Sequence, residues 1–420
     1  MPIFRPQRFV RVCIVFFVIF MSTICFKVYL KVSLIKKQTR DIIYNYQDDV
    51  SDNSTYTDYV AARIKDKMQT MRQILNIKSQ IKNINLAQTV HNTRLGHFKS
   101  NLDSHVIVVL VHSDTYYFSQ LLLSLKTAIG IKDAFIIFSH DYFSESINAL
   151  IRNIKFAKYI QIFFPYSIQL HPNVFPGTDG QHCSEGYVCK KSKARDPEAA
   201  QSKQHWWWTV NQVFDNLNVT RSIKQFTVLF LEDGDFVTPD ILYVFKLLKK
   251  VRLSHFTFCE VINLGAYDLD LSSYTKKTLV SVEIWTGRSY RSGIAFDRQT
   301  WNSLKSNSEE FCNHNDYNWD SSLRHVGFKK WDGNVYMIAI PGTRVIHIDK
   351  CGRTDDGCQE ELKVKEVKKF IRSVRKGMFP RSYVMAANKV EDFDRTAAGF
   401  WEDVRDKELC MYFTTHSVWY

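Results

Sequence analysis

QFTVLFLEDGDFVTPD, Gln225 to Asp240, is the stretch on which the fold turns. Phe226 to Leu231 is an apolar run rich in β-branched and aromatic residues, short enough for a buried strand and too short for a core helix. Glu232, Asp233 and Asp235 follow, interrupted only by Gly234. Thr238 and Pro239 then open a helical segment from Asp240 to Lys250, with proline suited to a first helical position. An acidic loop at the carboxyl end of a buried strand is where open α/β sheets place ligand sites. Hard carboxylate oxygens there suit Mn²⁺ or Mg²⁺ holding a diphosphate. On spacing alone, a solvated acidic turn reads equally well.

Upstream, the folded domain starts near Ser104. Val106 to His112 is a buried strand, followed by the polar turn Ser113, Asp114, Thr115. Tyr116 to Ile129 has helical periodicity and stops at Gly130. Ala134 to Ser139 is a second strand ending in His140 and Asp141, Ser144 to Asn153 a second helix, and Tyr159 to Phe164 a third strand. This alternation predicts an α/β fold with a parallel, nucleotide-binding type of sheet. No G-x-G-x-x-G follows the first strand, and G-x-x-x-x-G-K-[ST] is absent, so dinucleotide and P-loop chemistry are unsupported. After a Pro/Gly-rich excursion comes Glu198 to Asn216, with Lys203, His205 and Trp206-Trp207-Trp208. Three consecutive helical positions point in three directions, so at most two of these tryptophans are expected in the core.

Downstream, Phe256 to Leu264 and Ser281 to Trp285 read as strands, Arg291 to Phe296 as a loop entering one, and Thr300 to Ser306 as a helix. Phe311 to Leu323, FCNHNDYNWDSSL, is dense in polar and aromatic groups. An acid beside tryptophan can seat a sugar, but Asp316 or Asp320 can equally cap a helix. Val335 to Ile340 and Thr343 to Ile348 are strand-like, and residues 360 to 375 form a basic helix. His347 lies at the end of the second strand; a lone histidine there is more often structural than a ligand.

The chain has 420 residues, 45% of them apolar, and a formal charge of +13. That is enough for a large core and attracts anions, a phosphate-bearing substrate included. Without zinc-finger or helix-turn-helix spacing, nucleic acid is not expected as a partner. Arg5, Arg8 and Arg11 precede the uncharged run Val12 to Phe26, and no small-residue cleavage site follows. The expected plan is a cytoplasmic tail (1–11), a type II transmembrane signal anchor (12–30), a polar luminal stem (31–103) and a luminal catalytic domain (104–420). Seven cysteines lie beyond the span: Cys183, Cys189, Cys259, Cys312, Cys351, Cys358 and Cys410. The short loops Cys183 to Cys189 and Cys351 to Cys358 read as disulfides. The odd count leaves a thiol free or pairing between chains, as in a homodimer. Asn53 and Asn218 start N-x-S/T sequons.

IIFSHDYFS (136–144), FFPYSIQLHPNVFPG (163–177), HWWWTV (205–210), VLFLEDGDFVTPD (228–240), FCNHNDYNWD (311–320), RVIHIDKCG (344–352) and VRDKELC (404–410) carry a resemblance. Together they resemble the Golgi β-1,2-N-acetylglucosaminyltransferases, and within them the N-acetylglucosaminyltransferase II group, over Val106 to Cys410. The resemblance implies a GT-A fold, a Golgi membrane location, UDP-GlcNAc as donor, Mn²⁺, and inverting transfer to the 2-hydroxyl of the α1,6-arm mannose of an N-glycan on glycoproteins. It implies that Asp320 is the base, with Trp319 packing on sugar and Arg291 near the sugar site. Val111, His112, Ser113, Asp114 and Thr115 match the nucleotide turn. Asp141 and the run Gln201, Ser202, Lys203, Gln204, His205 match further donor contacts. His347 matches a metal ligand, and the implied disulfides are Cys183–Cys189, Cys312–Cys410 and Cys351–Cys358, with Cys259 left over.

Departures sharpen these expectations. The aspartate that binds the metal in the family aligns with Gly234, so Asp233 or Asp235 is expected to replace it after a one-residue shift. Ser113-Asp114-Thr115 stands where Asn-Arg-Pro is usual, Arg291 where asparagine is, and Asn307 and Lys330 where two cysteines pair. The alternative function is a weak or inactive homologue that binds glycans or partners.

Overall fold

The computed structural model describes residues 54–96, 105–178, 195–265, 271–274, 277–285, 292–331, 333–348, 358–385 and 399–420. The expected tail and anchor, Asn53, Cys183, Cys189, Arg291 and Cys351 lie outside these residues. The chain divides into two compact units, residues 1–72 and 73–420. The first unit contributes the start of helix α1 (Ser54–Ala87), whose side chains from Ala62 to Arg72 are exposed. Among the described residues no helix is long and apolar enough to cross a membrane. That finding overturns the expected single-pass Golgi-membrane location. The one long helix described, α1, is broken by Lys65, Lys67, Arg72, Lys78 and Lys82 and carries no uninterrupted apolar run.

The second unit begins with the end of α1, inside the span read as stem. Ile81 packs with Phe163 and Leu170. Asn85 is fully buried: its amide donates to the carbonyls of Phe163 (2.7 Å) and Trp419 (2.8 Å), and its Oδ1 accepts from the Phe163 N–H (2.8 Å).

Strand β1 (His105–Val111), helix α2 (Thr115–Thr127), β2 (Ala134–His140), α3 (Glu145–Arg152) and β3 (Lys158–Phe163) follow as a strand–helix alternation. Helix α4 (Pro197–Asn211) precedes β4 (Thr227–Glu232) and the three-residue β5 (Asp235–Val237). The chain continues through α5 (Ile241–His255), β6 (Val261–Asn263), β7 (Lys277–Ile284), β8 (Ile294–Asp297), α6 (Arg298–Lys305), α7 (Ser308–Asn313) and α8 (Trp319–Lys330). It ends with β9 (Tyr336–Ala339), β10 (Val345–His347), α9 (Glu360–Val374), β11 (Ser382–Met385) and α10 (Val404–Thr415).

The main sheet has nine strands in the order β11-β7-β9-β6-β8-β4-β1-β2-β3. Its β3-β2-β1-β4 half is parallel, and β8 opens the mixed half by pairing antiparallel with β4 and β6. The architecture is therefore mixed α/β. Both faces of the parallel half are covered, so its strands are apolar over most of their length. Val106, Val108 and Leu110 join one core, while Ile107, Val109 and Val111 join the other. Strand order reverses between β1 and β4, which makes their carboxyl ends the switch point where such sheets bind ligands. Between Phe256 and Leu264 only Val261–Asn263 is strand; Cys259 closes a turn onto Phe256.

All three consecutive tryptophans are core, against the expected maximum of two. Trp206, Trp207 and Trp208 are each at most 1% exposed. Helix α4 is wrapped on every side. Trp206 stacks on Trp319 of α8, Trp207 stacks on Phe311 of α7, and the Trp208 indole N–H donates to the Val418 carbonyl (2.8 Å). The C-terminal segment supplies the extra layer that a helix on a two-layer sheet would lack. Cys312 and Cys410 are disulfide-bonded and tie α7 to α10. Cys358 is also disulfide-bonded. Cys259 is a free thiol with 0% exposure, so it is not placed to pair between chains.

Candidate active site

β1 and β4 end side by side, Leu110 opposite Glu232, and their loops share hydrogen bonds. The Asp233 N–H donates to the Leu110 carbonyl (3.0 Å), and the His112 N–H donates to Asp233 Oδ2 (3.1 Å). Asp233 therefore ties the loop after β4 to the loop after β1.

A first histidine–carboxylate pair is His112 Nδ1 with Asp141 Oδ2, 2.6 Å apart. Asp141 follows β2, which pairs in register with β1, so Val111 lies opposite His140. The Asp141 N–H donates to the Val111 carbonyl (3.2 Å). His205 on α4 approaches the same carboxylate oxygen at 3.8 Å through Nδ1. Its Nε2 lies 2.9 Å from Ser139 Oγ, which in turn is 2.7 Å from Thr209 Oγ1. Burial alone would lower the His112 pKa, but Asp141, Asp233 and Glu232 outweigh it and raise it to about 10. Burial would raise Asp141, but His112 and His205 hold it at about 2. Burial dominates at His205 and lowers it to about 4, so that ring is neutral. The site at neutral pH is an imidazolium, a carboxylate and a neutral imidazole. Among the described residues, His112, Asp141 and His205 form a group of three whose donor atoms lie within 4.8 Å of one another and could hold a metal ion.

The second pair is His347 Nδ1 with Asp235 Oδ1, 2.9 Å apart. The short antiparallel pairing of β5 with β10 creates it by setting Asp235 opposite His347. Asp235 is buried and its Oδ2 accepts from the Glu232 N–H (2.8 Å). The His347 side chain keeps 23% exposure. Gly234 explains the departure in the acidic loop. A Cβ there would lie 3.0 Å from His347 Cε1 and 3.4 Å from the Ile348 carbonyl, which itself caps a tight approach: the Ile348 N–H donates to the Gly234 carbonyl (2.9 Å). The carboxylate facing His347 comes from position 235 instead. A buried ion pair fixes β10 against α5: the Arg344 guanidinium reaches both Asp240 oxygens at 3.1 Å, with neither residue more than 1% exposed.

The run Gln201–His205 divides by helix face. Gln201 and His205, four residues apart, meet Asp141. Lys203 and Gln204 turn away: the first donates to the carbonyls of Asp316 (2.8 Å) and His314 (3.2 Å), the second to Asp406 Oδ1 (2.8 Å). Ser202 is partly exposed. In the nucleotide turn, Ser113 is exposed, Asp114 caps α2 by accepting from the Tyr117 N–H (3.0 Å), and Thr115 Oγ1 lies 3.3 Å from Ser146 Oγ.

Trp319 and Asp320 open α8. Asn318 is its N-cap residue, so Asp320 lies in the first turn, where the helix dipole favours its charge, and is not itself the cap. Asp320 is 6% exposed, and Trp319 lies flat on Trp206 at 4.5 Å between ring centroids. Asp316 accepts from the Asn318 N–H (2.9 Å) and bends the chain into α8. Sequence reasoning missed Ser139 and Thr209, polar residues on otherwise apolar faces, a signal the sequence did carry.

The architecture is that of a mixed α/β protein with charged groups gathered at the switch point of its sheet, where such folds place a ligand. The chain belongs to the N-acetylglucosaminyltransferase II family, whose profile matches residues 78–410, and it is a glycosyltransferase. It is 31% identical over 366 residues to the Homo sapiens alpha-1,6-mannosyl-glycoprotein 2-beta-N-acetylglucosaminyltransferase, covering 81% of this chain and 79% of the human one. To the Arabidopsis thaliana enzyme of the same name it is 30% identical over 332 residues, covering 74% and 75%. Among solved structures, Staphylococcus aureus TarS 1–349 with UDP-GlcNAc superposes with a TM-score of 0.32 at 11% identity over 66% of this chain and 73% of that one, too distant to carry an argument.

Proposed function

We propose that this chain transfers N-acetylglucosamine from UDP-GlcNAc to the 2-hydroxyl of the α1,6-linked mannose of a glycoprotein N-glycan, with inversion, on a GT-A type fold. Family membership supports the reaction, and the gathering of His112, Asp141, His205 and Asp233 at the switch point, with Asp235 tied to the end of β4 through the Glu232 N–H, is the observation that carries the site. Nothing in the geometry favours a catalytically inactive homologue.

The donor set near His347 suits Mn²⁺: carboxylate oxygens with one imidazole. Asp235 holds the ring through Nδ1, as carboxylates behind metal-binding histidines do, which directs Nε2 outward as the ligand atom. Asp233 is the second ligand on this reading. A bound Mn²⁺ would neutralise the diphosphate that leaves. His112, Asp141, Gln201 and His205 take the nucleotide side, where an imidazolium attracts the anionic donor and a carboxylate accepts from its hydroxyls or ring N–H groups. Asp320 takes the proton from the acceptor hydroxyl as that oxygen attacks the anomeric carbon. Trp319 lies beside it, 4% exposed and stacked on Trp206.

The deciding measurement is UDP-GlcNAc turnover, with and without Mn²⁺, on a trimannosyl acceptor carrying one GlcNAc. Metal-dependent turnover supports the reading. No turnover with retained glycan binding would leave the binding-protein alternative.

A further inference from the structure

The donor-contact role that the resemblance implied for Lys203 conflicts with its surroundings. The residue has 0% exposure on α4, two positions before His205. Its ammonium donates to the carbonyls of Asp316 (2.8 Å) and His314 (3.2 Å) and lies 4.1 Å from the centroid of the Trp401 ring. Burial pushes its pKa well down against the pull of Asp316, so the surroundings disfavour its charged form. A buried cation is weak evidence for stability, since a well-packed apolar side chain often serves as well. What it does provide is a directed clamp. Those carbonyls belong to the turn that enters α8. The carboxylate of Asp316, 3% exposed, accepts from both the backbone N–H (2.9 Å) and the side-chain amide (3.0 Å) of Asn318, the cap residue immediately before Trp319 and Asp320. Trp206, on the same helix, is stacked on Trp319. One helix thus carries His205 at the nucleotide cluster and clamps the turn that presents Asp320.

We infer that Lys203 is a positioning residue, which never touches the donor and sets where Asp320 stands relative to the nucleotide cluster by holding the 314–318 turn to α4. This rests on Asp320 being the base. Ångström-scale displacement of a base lowers turnover without changing donor affinity, and losses of about 10- to 100-fold are ordinary for it.

The test uses the full chain with Lys203→Met, Asp320→Asn and the double variant. Each is measured for kcat and its pH profile on the trimannosyl acceptor, for UDP affinity by calorimetry, and for its melting transition. For Lys203→Met the expected result is a kcat about 10- to 100-fold lower, with UDP affinity within about twofold of wild type and the acid limb of the kcat profile displaced. In the double variant, the expected kcat equals that of Asp320→Asn, because both changes remove the same contribution. Lys203→Gln, which retains two N–H donors, is expected to recover part of the loss and gives the same comparison if the methionine variant does not fold. A UDP affinity falling in step with kcat overturns the proposal and makes Lys203 a donor contact. So does a full multiplication of the two losses in the double variant. Failure of the base reading looks different: Asp320→Asn then turns over like wild type.

Discussion

Two histidine–carboxylate pairs stand by the carboxyl ends of the central strands, and the fold builds them by different means. His112 and Asp141 come from adjacent parallel strands 29 residues apart and are locked by β1–β2 register. Asp235 and His347 are 112 residues apart and meet through three-residue strands. The first pair is surrounded by further carboxylates and holds a charge on its histidine. In the second, the aspartate is sealed in and only the imidazole reaches solvent. On the proposed function, that difference is between a pair that attracts an anionic nucleotide and one that orients a ligand atom.

The largest expected effect leaves both pairs intact. Asp320→Asn should lower kcat by about 10²- to 10⁴-fold, the usual contribution of a general base, with UDP binding unchanged by calorimetry. Lost UDP binding would mean that Asp320 belongs with the nucleotide pair. Next is the clamp behind the second pair. Arg344→Met strands Asp240 in the core and should reduce stability by about 3–5 kcal/mol, read as a fall in the denaturation midpoint. A shift near zero would show that β10 does not depend on this pair.

A pH series tests the first pair. The folded pKa of His112 is raised, so its contribution is complete below about 6.5 and fades as pH climbs toward about 10. Asp141, held at about 2, contributes above its unfolded pKa and loses that only in strong acid. Stability should therefore fall by on the order of 2 kcal/mol between pH 7 and 10, after allowing for partial exposure of His112. His112→Gln should flatten that slope; an unchanged slope would show that the imidazolium is not paired as described.

Exchanging roles between the pairs is the sharper challenge. Asp235→Asn keeps an oxygen for the Glu232 N–H but weakens its hold on His347, and should raise the Mn²⁺ needed for half-maximal activity about 10- to 100-fold. Asp141→Asn should instead raise the KM for UDP-GlcNAc. If Asp141→Asn moves the Mn²⁺ requirement and Asp235→Asn does not, the metal belongs to the His112–Asp141–His205 group.

The contrast also explains what the sequence revealed. The parallel half was legible because its strands are buried on both faces and its connections are short, so apolar runs and helical periods alternate visibly from Val106 onward. The alternation put His112 and Asp141 at the ends of the first two strands, and the resemblance gave both to the nucleotide. β5 and β10 could not be placed that way: three residues carry no periodicity, and nothing local marks Asp235 as the partner of a histidine more than a hundred residues away. Helix α4 was misread for a related reason. Helical geometry correctly sends Trp206, Trp207 and Trp208 in three directions, but the layer that buries the third side comes from residues 404 to 420, beyond any local pattern. Lys203 and His205 looked alike in sequence and are equally buried; only their partners tell them apart, the His314 and Asp316 carbonyls for the first and Asp141 for the second.

The smallest effect provides a control remote from the catalytic chemistry. Glu260, just before β6 in the mixed half, accepts from the Tyr336 N–H (2.9 Å), yet burial raises its pKa to about 6. A carboxyl whose folded pKa is raised supports the fold while protonated, fully below its unfolded value near 4.5, and that support is lost as pH rises through 6. Glu260→Gln keeps an acceptor for Tyr336 without the charge. It should stabilise the protein at pH 7 by about 1 kcal/mol and abolish the fall in stability between pH 4.5 and 6, as thermal melts across that range would record. Turnover should keep its wild-type pH profile, because Glu260 belongs to neither pair. A changed profile would mean that charge in the mixed half reaches the switch point, and that the two pairs are not electrostatically separate from the rest of the sheet.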